Sequence, residues 1–136
     1  MRFVDTNILL YAVSTVPEES PKAVAANELL AGRDLCLSVQ VLQEFYVQAT
    51  RTTRTDALTH AQASDLVTAF ARFPVQVTTL EMMHAAMSTR DRFGLSYWDG
   101  AIIEAARALG CEVVLSEDLG HGQDYDGVMV TNPFLS

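Results

Sequence analysis

Four acidic residues stand where short apolar runs end or where helices are predicted, and they are the residues best able to do chemistry together. Asp5 follows the apolar run that opens the chain, and Asp118 follows a later run of the same kind. Asp99 lies in the first turn of a predicted helix, and Glu44 lies inside another. If the two runs are parallel strands, both acids that follow them project from the same sheet edge, where sites form in α/β proteins. The sequence therefore predicts that carboxylates from four distant positions converge.

Converging carboxylates need a compensating positive charge. Two unit charges about 4 Å apart repel by roughly 4 kcal/mol at an effective dielectric constant of 20. A hard divalent cation removes that repulsion, and oxygen ligands favour Mg²⁺ or Mn²⁺. A water molecule bound to such an ion has a lowered pKa and can attack a phosphodiester bond. The four acids are therefore candidate metal ligands and catalytic residues.

Each acid also has an ordinary structural explanation. Asp5 and Asp99 both stand where an acidic residue can cap a helix. Glu44 lies on a polar helical stripe of the kind that faces solvent, and Asp118 lies in a polar loop. The case for a site depends on the set of four, because capping and solvation explain each acid taken alone.

The elements that would carry these acids alternate along the chain. Apolar runs of strand length lie at Arg2–Val4, 35–37, 75–77, Val113–Leu115 and 128–130. Segments with helical period separate them, which predicts an α/β fold with a mostly parallel sheet of about five short strands.

Three of the separating segments carry helix signals. We expect a helix over 21–31 with Ser20 as its N-terminal cap, and one over Leu80–Phe93 with a capping box of Thr78 and Glu81 and with Gly94 at its end. In a third helix, which Gly110 ends, an apolar face is predicted from Trp98, Ile102, Ala105 and Leu109.

Size and composition limit the class of protein. The chain has 136 residues, of which 49% are hydrophobic, enough for one domain over residues 1–136. A net charge of −8 argues against a simple nucleic-acid binder. Asp5 interrupts the N-terminus before a secretory segment could form, and the early apolar run over 8–13 is too short to span a membrane, so a cytoplasmic protein is expected. Cys36 and Cys111 lie in apolar stretches, which favours two buried thiols over a disulfide.

Taken together, these residues resemble the PIN-domain ribonucleases, and in particular the toxin halves of VapBC-type toxin–antitoxin pairs. The resemblance covers essentially the whole chain. It rests on the order and spacing of four motifs: Asp5-Thr6-Asn7, Glu44, Tyr97-Trp98-Asp99 and Ser116-Glu117-Asp118-Leu119.

The resemblance implies a three-layer α/β/α domain, a divalent metal ion in an acidic pocket, and endonucleolytic cleavage of RNA. It also implies a cognate antitoxin that blocks the pocket and a toxin that forms a homodimer. Carried over to this chain, Asp5 and Asp99 match the strongest metal ligands, and Glu44 and Asp118 complete the acidic set. The motifs also offer polar groups that would orient the carboxylates or water: Thr6, Asn7, Ser116 and Glu117.

Two details of the predicted site require a choice: the residue that supplies the fourth acid and the arginines that contact RNA. The fourth acid position is ambiguous, because Glu117 and Asp118 are neighbours and side chains of consecutive extended residues point opposite ways. We choose Asp118. The best candidates for contacts to RNA phosphates are arginines, whose planar fork suits phosphate oxygens: Arg51, Arg54, Arg90 and Arg92.

Other functions remain open at this stage. A non-catalytic α/β module that binds a protein partner is compatible with acids that act only as caps. A haloacid-dehalogenase-like phosphotransferase also begins with an acid after the first strand, but its second acid, two residues later, is replaced here by Asn7. A serine hydrolase lacks its G-x-S-x-G motif, and the three histidines and two cysteines lack the spacing of a zinc site.

Overall fold

A computed structural model describes residues 1–135 of the chain. The strands are β1 (Arg2–Val4), β2 (Leu35–Ser38), β3 (Val75–Gln76), β4 (Val113–Leu115), β5 (Asp124–Tyr125) and β6 (Val128–Thr131). The helices are α1 (Thr6–Val13), α2 (Ser20–Leu30), α3 (Val39–Ala49), α4 (His60–Phe70), α5 (Leu80–Phe93) and α6 (Tyr97–Ala108), and a short 3-10 helix at Pro17–Glu19 precedes α2.

The strands form one six-stranded sheet in the order β3-β2-β1-β4-β6-β5. All neighbouring strands are parallel except β5 and β6. Because parallel strands cannot be joined by a tight turn, pairs of helices connect β1 to β2, β2 to β3 and β3 to β4. The predicted α/β fold with a mostly parallel sheet is confirmed.

The central strands are covered on both faces. In β1, Phe3 and Val4 are both 0% exposed, although consecutive strand residues point to opposite faces. Leu35, Cys36 and Leu37 of β2 are likewise fully buried. Burial of both faces requires helices on each side of the sheet, which confirms the expected three layers.

The sixth strand was not predicted. Tyr125 of β5 pairs with Val128 of β6 across a two-residue turn. Asp126 and Gly127 in that turn both have positive φ angles, 54° and 93°. An Asp-Gly pair is a strong hairpin signal, so the sequence did contain evidence for β5.

Two predicted helix caps are wrong by one residue, although α5 has the predicted bounds, Leu80–Phe93. Ser20 is the first residue of α2, and Glu19 holds the capping position without a side-chain hydrogen bond. Thr79, not Thr78, caps α5, because its extended backbone aims the hydroxyl at the first free N–H groups of the helix. The predicted capping box of Thr78 and Glu81 is therefore wrong.

The predicted apolar face of α6 is only partly buried. Ile102 and Ala105 are 2% exposed, whereas Trp98 is 63% exposed. Trp98 lies in the first helical turn, at the edge where the strands end, and so lies outside the layer that covers the sheet. Gly110, with a φ of 76°, follows the end of the helix as expected.

Two further features are the surroundings of the cysteines and the character of the helices. Cys36 and Cys111 are buried free thiols, as predicted. Within residues 1–135, none of the helices combines the length and the apolar character that crossing a membrane requires.

Candidate active site

The site begins where β1 and β4 end side by side. Val4 pairs with Leu115, and the backbone N–H of Asp5 donates to the carbonyl of Leu115 at 3.0 Å. The chain then turns into α1 after Asp5, whose carboxylate caps that helix. Ser116 follows β4 at the same edge, so this pairing brings two chain positions 111 residues apart into contact.

Asp5 is buried, with only 6% of its surface exposed, and three groups donate to its carboxylate. The N–H of Thr6 donates to Oδ1 at 2.7 Å, the hydroxyl of Ser116 donates to Oδ2 at 2.7 Å, and the amide of Asn7 lies 3.4 Å from Oδ2. These donors fix the orientation of the carboxylate.

Burial nevertheless raises the pKa of Asp5 from 3.8 to about 6. The hydrogen bonds from Ser116 and Thr6 oppose this rise, whereas the negative charges of Glu44 and Asp118 add to it. Loss of hydration therefore outweighs the hydrogen bonds. The negative charge of the Asp5 carboxylate is therefore only partly stabilised by its donors, as expected for a carboxylate that binds a cation.

Glu44 reaches the same edge from α3. Its Oε2 accepts from the hydroxyl of Thr6 at 2.7 Å, and its Oε1 accepts from the amide of Gln40 at 2.9 Å. The amide of Gln40 also donates to the backbone carbonyl of Trp98 at 3.2 Å. Glu44 is thus held between α1 and the start of α6.

Asp118 joins the site through Asn7. The amide of Asn7 donates to Oδ2 of Asp118 at 3.2 Å and lies 3.3 Å from the hydroxyl oxygen of Ser116. That hydroxyl oxygen in turn accepts from the backbone N–H of Asp118 at 3.1 Å. A compact network of polar groups therefore links Asp118 to Asp5.

Glu117 points elsewhere. Its carboxylate accepts from the hydroxyl of Tyr11 and forms an ion pair with Lys22. Burial would raise the pKa of Glu117, but the hydrogen bonds from Lys22 and Tyr11 outweigh that effect and lower it. Only its backbone N–H contributes to the network, by donating to Oδ1 of Asn7 at 3.1 Å. This geometry favours Asp118 as the fourth acid.

Asp99 enters the site from the first turn of α6. The hydroxyl of Ser96 accepts from its backbone N–H at 3.1 Å and caps the helix. Burial raises the pKa of Asp99, and so do the negative charges of Asp118 and Glu44, against a hydrogen bond with Ser96. The charges of Glu44 and Asp118 thus raise the pKa of both Asp5 and Asp99. All four predicted acids therefore lie close enough to interact electrostatically.

The donor chemistry of this neighbourhood is suited to a hard cation. Its charged atoms are carboxylate oxygens, which Mg²⁺ and Mn²⁺ prefer. Within residues 1–135, no three side chains of His, Cys, Asp or Glu form a ready-made cage around a single point. Mg²⁺ is usually bound by one or two carboxylates and retains several waters, so an open arrangement fits it better than a closed cage would.

The predicted arginine contacts differ in their surroundings. Arg51 is exposed and lines an open groove that one of the four acids, Glu44, also lines. Arg54 forms an ion pair with Asp56 at 3.3 Å, and Arg92 forms one with Asp126. Arg90 is exposed on α5. Arg51 is therefore the best placed of the four.

Comparison with known proteins assigns the family. A family model of the PIN domain matches residues 2–123, a span that includes β1 to β4 and every helix described above. The chain belongs to the PIN-domain family. The expected resemblance is confirmed, and the family assignment replaces the haloacid-dehalogenase-like interpretation.

Solved structures share the fold of this PIN domain at low sequence identity. A toxin–antitoxin complex from Klebsiella pneumoniae matches with a TM-score of 0.71 and 18% identity over 98% of both chains. VapC20 from Mycobacterium tuberculosis, a sarcin-ricin loop cleaving toxin, matches with a TM-score of 0.68 and 17% identity over 87% of this chain and 90% of that one. FitAcB from Neisseria gonorrhoeae matches with a TM-score of 0.68 and 18% identity over 98% of this chain and 99% of that one. No individual curated sequence matches this PIN domain closely enough to be called a relative.

Three residues at the site of this PIN domain were not predicted. Gln40 holds Glu44, and its position one helical turn earlier was a usable signal. Tyr125 lies in the field of Asp99, since burial and then the charge of Asp99 raise its pKa. The exposure of Trp98 beside the acids had no local signal, because the helical pattern assigned this residue to the core.

Proposed function

We propose that this PIN domain is a Mg²⁺- or Mn²⁺-dependent endoribonuclease and the toxin of a toxin–antitoxin pair. The observation that carries the proposal is the meeting of four acids from separate elements: Asp5, Glu44, Asp99 and Asp118. Acids with only capping or solvent-facing roles would not need to share one neighbourhood, because their mutual repulsion destabilises the fold.

One or two of these carboxylates would hold the ion directly, with waters completing its coordination, and the polar residues around the acids orient them. Ser116 and the backbone of Thr6 hold Asp5, the hydroxyl of Thr6 and the amide of Gln40 hold Glu44, and Asn7 holds Asp118. When bound, the ion would supply an activated water and neutralise charge on the phosphate. The residues themselves fix the carboxylates, keep the ligand atoms of Asp5 away from bulk water, and leave the exposed side of Asp118 open for substrate.

The toxin role is supported by the structures that share the fold. A toxin–antitoxin complex and a toxin that cleaves the sarcin-ricin loop are among them. We therefore propose RNA as the substrate and a cognate antitoxin protein as the partner that blocks the acidic edge. We also propose that the chain forms a homodimer in the cytoplasm, which light scattering would test as twice the mass of one chain.

The experiment is RNA cleavage by the purified protein in Mg²⁺, Mn²⁺ or EDTA. Asp5→Asn and Asp99→Asn should each lower the cleavage rate more than about 100-fold, above the 10- to 100-fold typical of residues that only orient ligands. Ser116→Ala should fall within that lower range. The matched control is Asp65→Asn, since Asp65 is an exposed acid on α4.

Two outcomes would contradict the proposal. Cleavage that persists in EDTA and in both variants would indicate a contaminating nuclease. Absence of cleavage in all metals, with a protein that is folded and binds a protein partner, would favour the non-catalytic binding module instead. The toxin role is tested separately, because co-expression of the neighbouring reading frame should relieve any growth arrest that this chain causes.

A further inference from the structure

The one tryptophan of the chain is exposed beside the acidic edge. Trp98 is 63% exposed although it precedes Asp99 directly. It lines an open groove of about 300 Å³. The remaining lining residues come from α3 and its end: Gln40, Gln43, Glu44, Val47, Gln48 and Arg51. This volume is at the lower end of the range for small-ligand sites, roughly 300–1,000 Å³.

The position of Trp98 is tied to one of the carboxylates. The amide of Gln40 donates both to the backbone carbonyl of Trp98, at 3.2 Å, and to Oε1 of Glu44, at 2.9 Å. The ring of Tyr97 meets the indole edge-on, with ring centroids 4.9 Å apart and planes at 83°. An exposed aromatic ring is therefore held at a set place next to the acids.

The other groups in the groove suit a nucleotide. Gln43 and Gln48 offer amide donors and acceptors for the edge of a base. Val47 is 53% exposed and extends the apolar surface. Within residues 1–135, Arg51 forms no ion pair, so its guanidinium is available to a phosphate despite the negative charge of the chain.

We propose that this groove is a nucleobase subsite, in which the indole of Trp98 stacks on an unpaired base of single-stranded RNA and Arg51 contacts an adjacent phosphate. The proposal rests on the nuclease function and names its substrate as unpaired RNA. Aromatic stacking selects single strands because bases in a duplex are already stacked. Stacking also tolerates different bases. The subsite would therefore position the RNA strand next to the acids and would contribute little to the choice of RNA sequence.

The first test uses the emission of Trp98, which reports on the groove without interference because the chain has one tryptophan. A single-stranded RNA hexanucleotide, titrated in Ca²⁺ and again in EDTA, should quench the emission in a saturable way. A duplex of the same sequence should quench it much less. Equal quenching by the single strand and the duplex would overturn the proposal. So would unchanged emission at RNA concentrations that saturate the protein, where saturation is measured by the fluorescence anisotropy of labelled RNA.

The second test compares variants. Trp98→Leu should raise the KM for single-stranded RNA about 5- to 140-fold, the equivalent of roughly 1–3 kcal/mol for one stacked base. Trp98→Phe should stay within a few-fold of the unsubstituted protein, because it keeps an aromatic face. Met87→Ala is the control, since Met87 is an apolar side chain of α5 that is 50% exposed. Thermal melting verifies that each variant is folded.

These outcomes separate the subsite from the nuclease. Cleavage by Trp98→Leu with an unchanged KM would refute the subsite and leave the nuclease standing. Saturable quenching by single strands without cleavage in any metal would refute the nuclease and support an RNA-binding groove. Quenching by a protein partner but not by RNA would show that the groove is a protein interface and would overturn the proposal.

Discussion

Replacing Asp5 with asparagine should stabilise the metal-free protein near neutral pH while it abolishes activity. The pKa of Asp5 rises from 3.8 to about 6 in the folded chain, chiefly because the carboxylate is buried. At about 1.36 kcal/mol for each pH unit of difference, the ionised carboxylate destabilises the fold by roughly 3 kcal/mol. An asparagine side chain at this position would remain neutral and would not carry this cost.

The direction of the pH dependence follows from the raised pKa. Below pH 3.8 the carboxyl is protonated in both the folded and the unfolded chain, so it has no effect on stability. Between pH 3.8 and about 6 the unfolded chain releases the proton first, and stability falls as the pH rises. Above about pH 6 the destabilisation from Asp5 is complete and constant.

The gain from Asp5→Asn should therefore be small at pH 4 and should reach about 1–3 kcal/mol at pH 7 to 8. The lower bound allows for Ser116, whose hydroxyl loses a charged acceptor in the variant. With an unfolding entropy of about 2.1 cal/mol/K per residue, a gain of 3 kcal/mol would raise the melting temperature by roughly 10 °C.

The assay is thermal melting in EDTA from pH 4 to 8, with Asp65→Asn as the exposed control. Addition of Mg²⁺ should raise the melting temperature of the unsubstituted protein but not that of Asp5→Asn. The reasoning is refuted if Asp5→Asn destabilises the metal-free protein equally at pH 4 and pH 7. That result would mean that the carboxylate acts mainly as a hydrogen-bond acceptor and a helix cap.

Three further predictions concern other parts of the molecule. Asp99→Asn should also stabilise the metal-free protein at neutral pH, since burial and the neighbouring acids raise the pKa of Asp99, and it should remove a metal effect worth about 2.7 kcal/mol at 100 times the Kd. Glu117→Gln should lower stability by about 0.2–1 kcal/mol at pH 7 through loss of the partly exposed pair with Lys22. Because the pKa of Glu117 is lowered, that difference, measured by urea unfolding, should shrink as the pH falls below the ordinary value of 4.5 and should be lost only below the lowered pKa. Cleavage should stay intact. Gly100→Ala should destabilise by about 1–3 kcal/mol at every pH, because a Cβ there would lie 2.8 Å from the carbonyl oxygen of Ala86, and unchanged chemical denaturation would contradict the close packing of α5 on α6.

Most of the fold could be predicted from local patterns. The apolar runs at Arg2–Val4 and Val113–Leu115 are strands with the predicted bounds. Gly94 and Gly110 lie at helix ends, where only a residue tolerant of positive φ fits easily. The capping positions of α2 and α5 were wrong by one residue, because adjacent serines, threonines and acids offer nearly equal caps and packing decides between them.

The sequence predicted which acids belong to the candidate site but not how their side chains are arranged. The order of the motifs identified Asp5, Glu44 and Asp99 and left a choice between Glu117 and Asp118. Only the folded chain separates the last two, since Lys22 of α2 and Tyr11 of α1 attract Glu117 while Asn7 attracts Asp118.

The sequence by itself determined the alternation of strands and helices and the positions of the acids along these elements, because backbone propensity and apolar periodicity act between residues that are close along the chain. Tertiary structure alone decided how deeply Asp5 is buried, what Glu44 contacts and that Trp98 is exposed. Those properties depend on side chains from distant elements that meet at the carboxyl edge of the sheet, where desolvation and charge act through space.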